Sequence, residues 1–235
     1  MRGLENRELI QRKISEKDFD KLEQSTDERI EYNNGQILYS PSTSQRHNDI
    51  IANIVAVLKH IVPNECKVFH EAIEVRLEDK NKDELYKYKP DAFVICGDYK
   101  KSGETVLDVP KIIFEVVSPK YDTHDTITKR LVYEKFGVLE YNIIFQNGDI
   151  IQYFLDEEKT YEMRMCRKGD MFKSNIYDGL NILVEDLIEE GYSKKIENNK
   201  VLSIAKNLLD VLDDETIALK TGLTIAKVKE LREQL

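Results

Sequence analysis

Residues 87–120, KYKPDAFVICGDYKKSGETVLDVPKIIFEVVSPK, hold two short apolar runs, AFVIC at 92–96 and KIIFEVVS at 111–118. Each is four to eight residues long, rich in β-branched side chains and bounded by Pro, Gly or Asp, which predicts two buried strands. Each also carries an acid where burial makes an unpaired carboxylate costly. Asp91 sits at the mouth of the first run and Glu115 interrupts the second. Taken singly, Asp91 reads as a turn cap after Pro90 and Glu115 as the partner of a lysine. Taken together, two carboxylates on neighbouring strands suit a hard divalent cation, which prefers oxygen ligands. That reading requires both acids to open on one shared cavity rather than each to be neutralised by a structural base.

Working outward, the N-terminal 25 residues read as helical, with Ser15 as N-cap of EKDFDKLEQ and Phe19 and Leu22 on one face. ERIEY and QILYS flank Asn34-Gly35, a hairpin signal because Asn-Gly accepts the positive φ of a tight turn. A helix follows, with Ser42 and Gln45 at capping-box spacing and His47, Ile51, Ile54, Leu58 and Ile61 on one stripe. At the start of that stripe, His47 reads as a helix-end histidine bonded to backbone. CKVFHEAIEVRLE predicts one or two strands, and NKDELYKYK a polar loop leading into Pro90.

Beyond Pro119, Asp125, Lys129 and Tyr133 recur every four residues and stack on one helix face, with Gly137 as C-cap. YNIIFQ, Asn147-Gly148 and DIIQYFL form a second hairpin signal, and TYEMRMC and MFKSNIY predict further strands. The order is α/β: a mixed β-sheet flanked by helices. The boundary falls at 193/194, where KKIENNK reads as a linker into a helical extension, 194–235. Within it ETIALKTGLTIAKVKELR has the length of a helix-turn-helix. A packing or dimerising role is favoured there over DNA contact, since as many acids as bases lie along it.

Composition limits the function. With 235 residues, 41% hydrophobic and 34% charged, the chain is globular rather than disordered. IIANIVAVLKHIV is too short to span a bilayer, and MRGLENRELIQRK has no apolar signal-peptide core. Cys66, Cys96 and Cys166 read as reduced thiols, and the protein as cytoplasmic. A net charge of −9 argues against broad nonspecific nucleic-acid binding. It leaves room for a local basic groove, because fields are screened beyond about 10 Å.

The ordered residues resemble the PD-(D/E)XK, restriction-endonuclease-like superfamily, and within it the bacterial Uma family. The pieces are Glu31-Tyr32-Asn33-Asn34-Gly35, Ser40-Pro41 followed by His47, Pro90-Asp91, and Glu115-Val116-Val117-Ser118-Pro119. Asp125, Lys129 and Tyr133 follow, then Gly137-Val138 and Glu140-Tyr141. They cover residues 15–190. The resemblance implies a restriction-endonuclease-like mixed sheet flanked by helices, Mg²⁺ (or Mn²⁺) dependence and hydrolysis of nucleic-acid phosphodiesters. DNA is the expected substrate, and cutting both strands favours a homodimer. By position, Asp91, Glu115 and the Val116 carbonyl are metal ligands, and Asp91, Glu115 and Lys129 form the catalytic set. Glu31, His47 and Asp125 are accessory. The superfamily places a lysine where this chain has Val117, so Lys129 is expected to replace it. Lys129 also fits a solvated lysine paired with Asp125. The competing class is a nucleic-acid-binding or assembly module that keeps the fold without turnover. An acid-pair glycosidase has only the two carboxylates behind it.

Overall fold

The runs around Asp91 and Glu115 form adjacent antiparallel strands, and the rest of the first unit is laid against them. The computed structural model describes residues 13–39, 44–70, 73–117 and 124–234, with the side chains of 124–126 outside that description. The chain divides into two units, Met1–Glu190 and Gly191–Leu235.

In the first unit, helix α1 (Glu16–Ser25) starts at Ser15, whose Oγ accepts the Asp18 N–H, and buries Phe19. Strands β1 (Ile30–Asn33) and β2 (Gln36–Tyr39) pair across Asn34-Gly35, where both residues hold positive φ. Helix α2 (Gln45–Ile61) is capped by Ser44, whose side chain accepts the His47 N–H; the expected cap Ser42 lies outside the described residues. Strands β3 (Cys66–His70), β4 (Val75–Asp79), β5 (Glu84–Tyr88), β6 (Ala92–Cys96), β7 (Lys101–Ser102), β8 (Thr105–Val106) and β9 (Ile112–Val117) follow. A π-helical turn, His124–Lys129, leads into helix α3 (Arg130–Phe136), which Gly137 ends at φ 84°. Strands β10 (Glu140–Phe145), β11 (Ile150–Leu155), β12 (Tyr161–Cys166), β13 (Met171–Lys173) and β14 (Asn181–Leu183), with helix α4 (Val184–Ile188), complete it.

One six-stranded sheet runs β12-β11-β10-β9-β6-β3, and a second runs β2-β1-β5-β4-β8-β7. The first is mixed, since β9 and β10 are parallel and its other pairs antiparallel. Every residue of β9 is buried, Glu115 included, as befits a central strand. Alternation sends Ile113, Glu115 and Val117 to one face and Phe114 and Val116 to the other. On the Glu115 face, Phe93, Ile113, Val117, Tyr141 and Ile143 share a core with Val75, Leu77 and Tyr88 of the second sheet and with Val132 and Tyr133 of α3. Helix α2 packs against β3, β6 and β9, and its buried Asn53 donates to the carbonyls of Leu187 (3.0 Å) and Glu189 (2.7 Å).

Three local expectations are corrected. Residues 84–88 are strand β5, laddered antiparallel between β1 and β4, and Lys87 pairs with Glu16 and Asp20 of α1. Residues 194–200 are the early turns of helix α5 (Tyr192–Leu208) rather than a linker. Cys66 and Cys96 stand directly opposite on β3 and β6 and are joined as a disulfide, which leaves only Cys166 as a free, buried thiol.

The second unit consists of α5, α6 (Asp214–Thr221) and α7 (Ile225–Glu233) around Ala205, Leu209, Ile217, Val228 and Leu231. Asp213 and Thr224 cap α6 and α7. The basic side chains Lys227 and Arg232 are paired within the unit, to Glu230 (2.7 Å) and Asp214 (2.9 Å). Among the described residues no helix is long and apolar enough to cross a membrane.

Candidate active site

The site forms where β6 begins and β9 nears its end, with Lys129 reaching in from the π-helical turn. Ala92 faces Phe114 in the β6–β9 ladder, so one step back the register brings Asp91 level with Glu115. Strand β1 adds Glu31, α2 adds His47, and the π-helical turn adds Lys129. Glu31, Asp91, Glu115, His47 and Lys129 are all buried.

Asp91 accepts the Val116 N–H on Oδ2 at 2.8 Å, and His47 Nε2 lies 3.1 Å from the same oxygen. Arg29 Nη1 is 3.3 Å from the other oxygen, Oδ1. Burial by itself would push the Asp91 carboxyl up. The His47 contact, the Arg29 charge and the Val116 N–H together outweigh it and hold the carboxyl below its ordinary value. The N–H and C=O of one strand residue point to the same side. Since the Val116 N–H meets Asp91, its carbonyl faces that side too.

Lys129 Nζ bridges two carboxylates, 2.9 Å from Glu115 Oε1 and 3.1 Å from Glu31 Oε2. It also stands 5.5 Å from the centre of the Tyr88 ring, and Tyr133 Oη lies 3.4 Å from Glu115 Oε1. Glu31 accepts the Lys89 N–H at 2.6 Å, which ties β1 to the approach to Pro90.

The structure thus brings together Glu31, His47, Asp91, Glu115, Val116 and Lys129. The side chain of Asp125 lies outside the described residues; the Lys129 contacts described here run to Glu31 and Glu115. His47 Nε2 meets Asp91, a contact that the helix-end reading did not contain. Arg29, just before β1, was missed by sequence reasoning, although it lies in ERIEY, the run read as one arm of the first hairpin. Burial works against the Arg29 cation, but the Asp91, Glu31 and Glu115 charges outweigh it and raise its pKa.

The requirement that neither acid be neutralised by a structural base is not met. The two acids stand level, yet each already carries a base. Three carboxylates against Arg29 and Lys129 leave a local charge of −1 while His47 is neutral. Among the described residues no three His, Cys, Asp or Glu side chains form a ready metal cage. The donor chemistry of Asp91, Glu115 and the Val116 carbonyl, all oxygen, nevertheless fits a hard divalent ion. Such an ion would have to compete with Arg29 for Asp91 and with Lys129 for Glu115.

The model of the Uma2 family, described as "Putative restriction endonuclease", matches residues 16–185. The fold is similar to the crystal structure of "a putative nuclease belonging to DUF820" from Anabaena variabilis, with a TM-score of 0.58 and 19% identity. That match covers 72% of this chain and 93% of the other. Among curated proteins none matches the chain. The family supports a nuclease, and its model ends before α5, α6 and α7.

Proposed function

Because this chain belongs to the Uma2 family of restriction-endonuclease-like proteins, we propose that it is a Mg²⁺-dependent endonuclease hydrolysing DNA phosphodiesters. The observation that carries this reading is the level placement of Asp91 and Glu115 on adjoining strands, with the Lys129 ammonium on Glu115. Asp91, Glu115 and the Val116 carbonyl would hold the metal, with Mn²⁺ able to substitute. Bound there, the ion supplies Lewis acidity to a phosphate oxygen and acidifies water.

The chain's own groups do the remaining work. His47 and the Val116 N–H fix Asp91 in rotation, so one carboxylate oxygen keeps a set direction. Lys129 offers a positive charge beside the metal ligands, where it stabilises charge building on the phosphate. Glu31 also pairs with that ammonium, and both are buried away from bulk water. A homodimer placing two such sites on one duplex completes the proposal, and sedimentation of the purified protein tests that part.

The deciding experiment is cleavage of supercoiled DNA with Mg²⁺ or Mn²⁺. Asp91→Ala and Glu115→Ala are expected to abolish it, and undiminished cleavage in either variant sinks the assignment. A second reading, a nucleic-acid-binding or assembly module without turnover, is favoured by Val117 in the lysine position and by the bases already on each acid. Metal binding by the wild-type protein with no cleavage of DNA or RNA would establish that alternative.

A further inference from the structure

Arg29 has no part in the chemistry assigned above, yet it sits on one of its central carboxylates. Nη1 lies 3.3 Å from Asp91 Oδ1, and Nη2 donates to the Lys89 carbonyl just before Pro90. Nε is different: it is buried and has no hydrogen-bond partner among the described residues. A guanidinium presents five donors in a rigid fork, so a seat that leaves one of them dry is a compromise. Arg29 neutralises Asp91 there at the expense of its own Nε–H.

Asp91 is also unevenly engaged. Oδ2 meets both His47 Nε2 and the Val116 N–H, whereas Arg29 is the base on Oδ1. A divalent cation taking Asp91 Oδ1 would therefore meet Arg29 there, and two positive charges at one oxygen repel each other. Arg29 is also the member of the cluster best placed to move. Its side chain is 25% exposed, against 7% for Asp91 and 4% for both Lys129 and Glu115.

We infer that Arg29 is an exchangeable counter-ion: it holds Asp91 in the metal-free protein, yields Oδ1 to an entering divalent cation, and turns its fork to a phosphate oxygen of the substrate. This rests on the metal-dependent nuclease reading and adds a regulation of metal entry to it. The released guanidinium then finds what its present seat denies it, an acceptor for Nε–H, in the planar two-point geometry that suits phosphate. Arg29 is thus a positioning residue, acting first through Asp91 and then on the substrate's charge.

Calorimetric titration of the full chain with Mn²⁺ tests the exchange without relying on activity. Arg29→Gln is expected to bind Mn²⁺ about ten-fold more tightly than wild type, a difference of about 1.4 kcal/mol. It should also show a higher KM for DNA. Arg29→Lys, which keeps the charge, is expected to restore the wild-type metal affinity but not the KM, because lysine lacks the fork. Should Arg29→Gln fail to fold, the wild-type protein still decides the matter: with ¹⁵N-labelled arginine, the Arg29 Nε–H resonance must move as Mg²⁺ is added. Wild-type metal binding with an unmoved resonance, or with equal or weaker affinity in a folded Arg29→Gln, overturns the exchange alone. No Mn²⁺ binding by any form overturns both the exchange and the metal-dependent reading.

Discussion

Lys129 Nζ stands 2.9 Å from Glu115 Oε1, although the two belong to different elements and the strand of Glu115 ends in Val117. Val117 projects to the same side as Glu115 but is buried in the core between the two sheets. The ammonium beside Glu115 comes from the π-helical turn, 14 residues after the glutamate, and not from position 117.

Lys129→Met should therefore be among the most damaging single changes. It leaves Glu31 and Glu115 buried without their common cation, and breaking a buried pair in this way costs about 3–5 kcal/mol. Removing an electrostatic stabiliser from an active site lowers the rate by about 10²–10³. Cleavage assays and urea unfolding on the same preparation check both numbers. Adding Val117→Lys to that variant places an ammonium on the same strand face, and it should recover part of the lost activity. A variant that keeps full cleavage without Lys129 would remove the residue from the mechanism.

The far face of the same sheet holds a second buried acid with a different fate. Glu140 is fully buried, and its carboxylate accepts Ser174 Oγ–H (2.7 Å), the Asn175 N–H (3.0 Å) and Asn142 Nδ2–H (3.1 Å). Burial outweighs these bonds and raises its pKa above the ordinary 4.5. The folded protein then holds this proton to higher pH than the unfolded chain does. Its contribution to stability is thus full below about pH 4.5 and is lost as pH rises through the folded value. Glu140→Gln, which cannot ionise, should flatten that decline. Unfolding free energies from pH 4 to 8 measure it, and a wild type that gains on the variant as pH rises would show the sign to be wrong.

Much of this architecture was legible because its signals are local. Asn34-Gly35 and Asn147-Gly148 each close a hairpin, Gly137 ends α3, and the runs after Asp91 and before Ser118 are neighbouring strands. What escaped was set by residues distant in sequence. Lys87 reads as a loop residue until Asp20 and Glu16, more than 60 positions earlier, are found holding it to α1. Residues 194–200 read as a linker because that stretch of α5 buries almost nothing. The site was legible as pairs of residues rather than as a network. Asp91 and Glu115 stood out as acids in apolar runs and Lys129 as a lysine soon after the second, whereas the Arg29 and His47 contacts depend on chain segments far away in sequence.

The Cys66–Cys96 disulfide makes a prediction opposite to the reduced-thiol expectation. Alkylation of the unfolded, unreduced protein should label one cysteine, Cys166, and prior reduction should expose three. The bridge closes a chain separation of 30 residues, and constraining a loop of that size in the unfolded state stabilises by about 3–4 kcal/mol. Denaturant midpoints with and without reductant check the size of the effect. Three reactive thiols in a protein purified without reductant would show that the bridge does not form in solution.

Two glycines with similar backbones separate conformation from packing. Gly137 at φ 84° has open space where a Cβ would stand, so Gly137→Ala should report the left-handed backbone term alone, about 1–2 kcal/mol. Gly148 at φ 100° turns the β10–β11 hairpin, and a Cβ there would lie 2.8 Å from Cδ1 of Ile188 on α4. That Cδ1 is the far end of a flexible side chain, so the clash can be relieved, but only by shifting a buried isoleucine off its packing. Gly148→Ala should therefore cost more than Gly137→Ala, and Ile188→Val, which shortens the side chain, should narrow the gap when combined with it. Urea unfolding of the two single variants and the Gly148→Ala/Ile188→Val double variant measures the difference. Equal losses in both single variants would mean that α4 does not press on this turn.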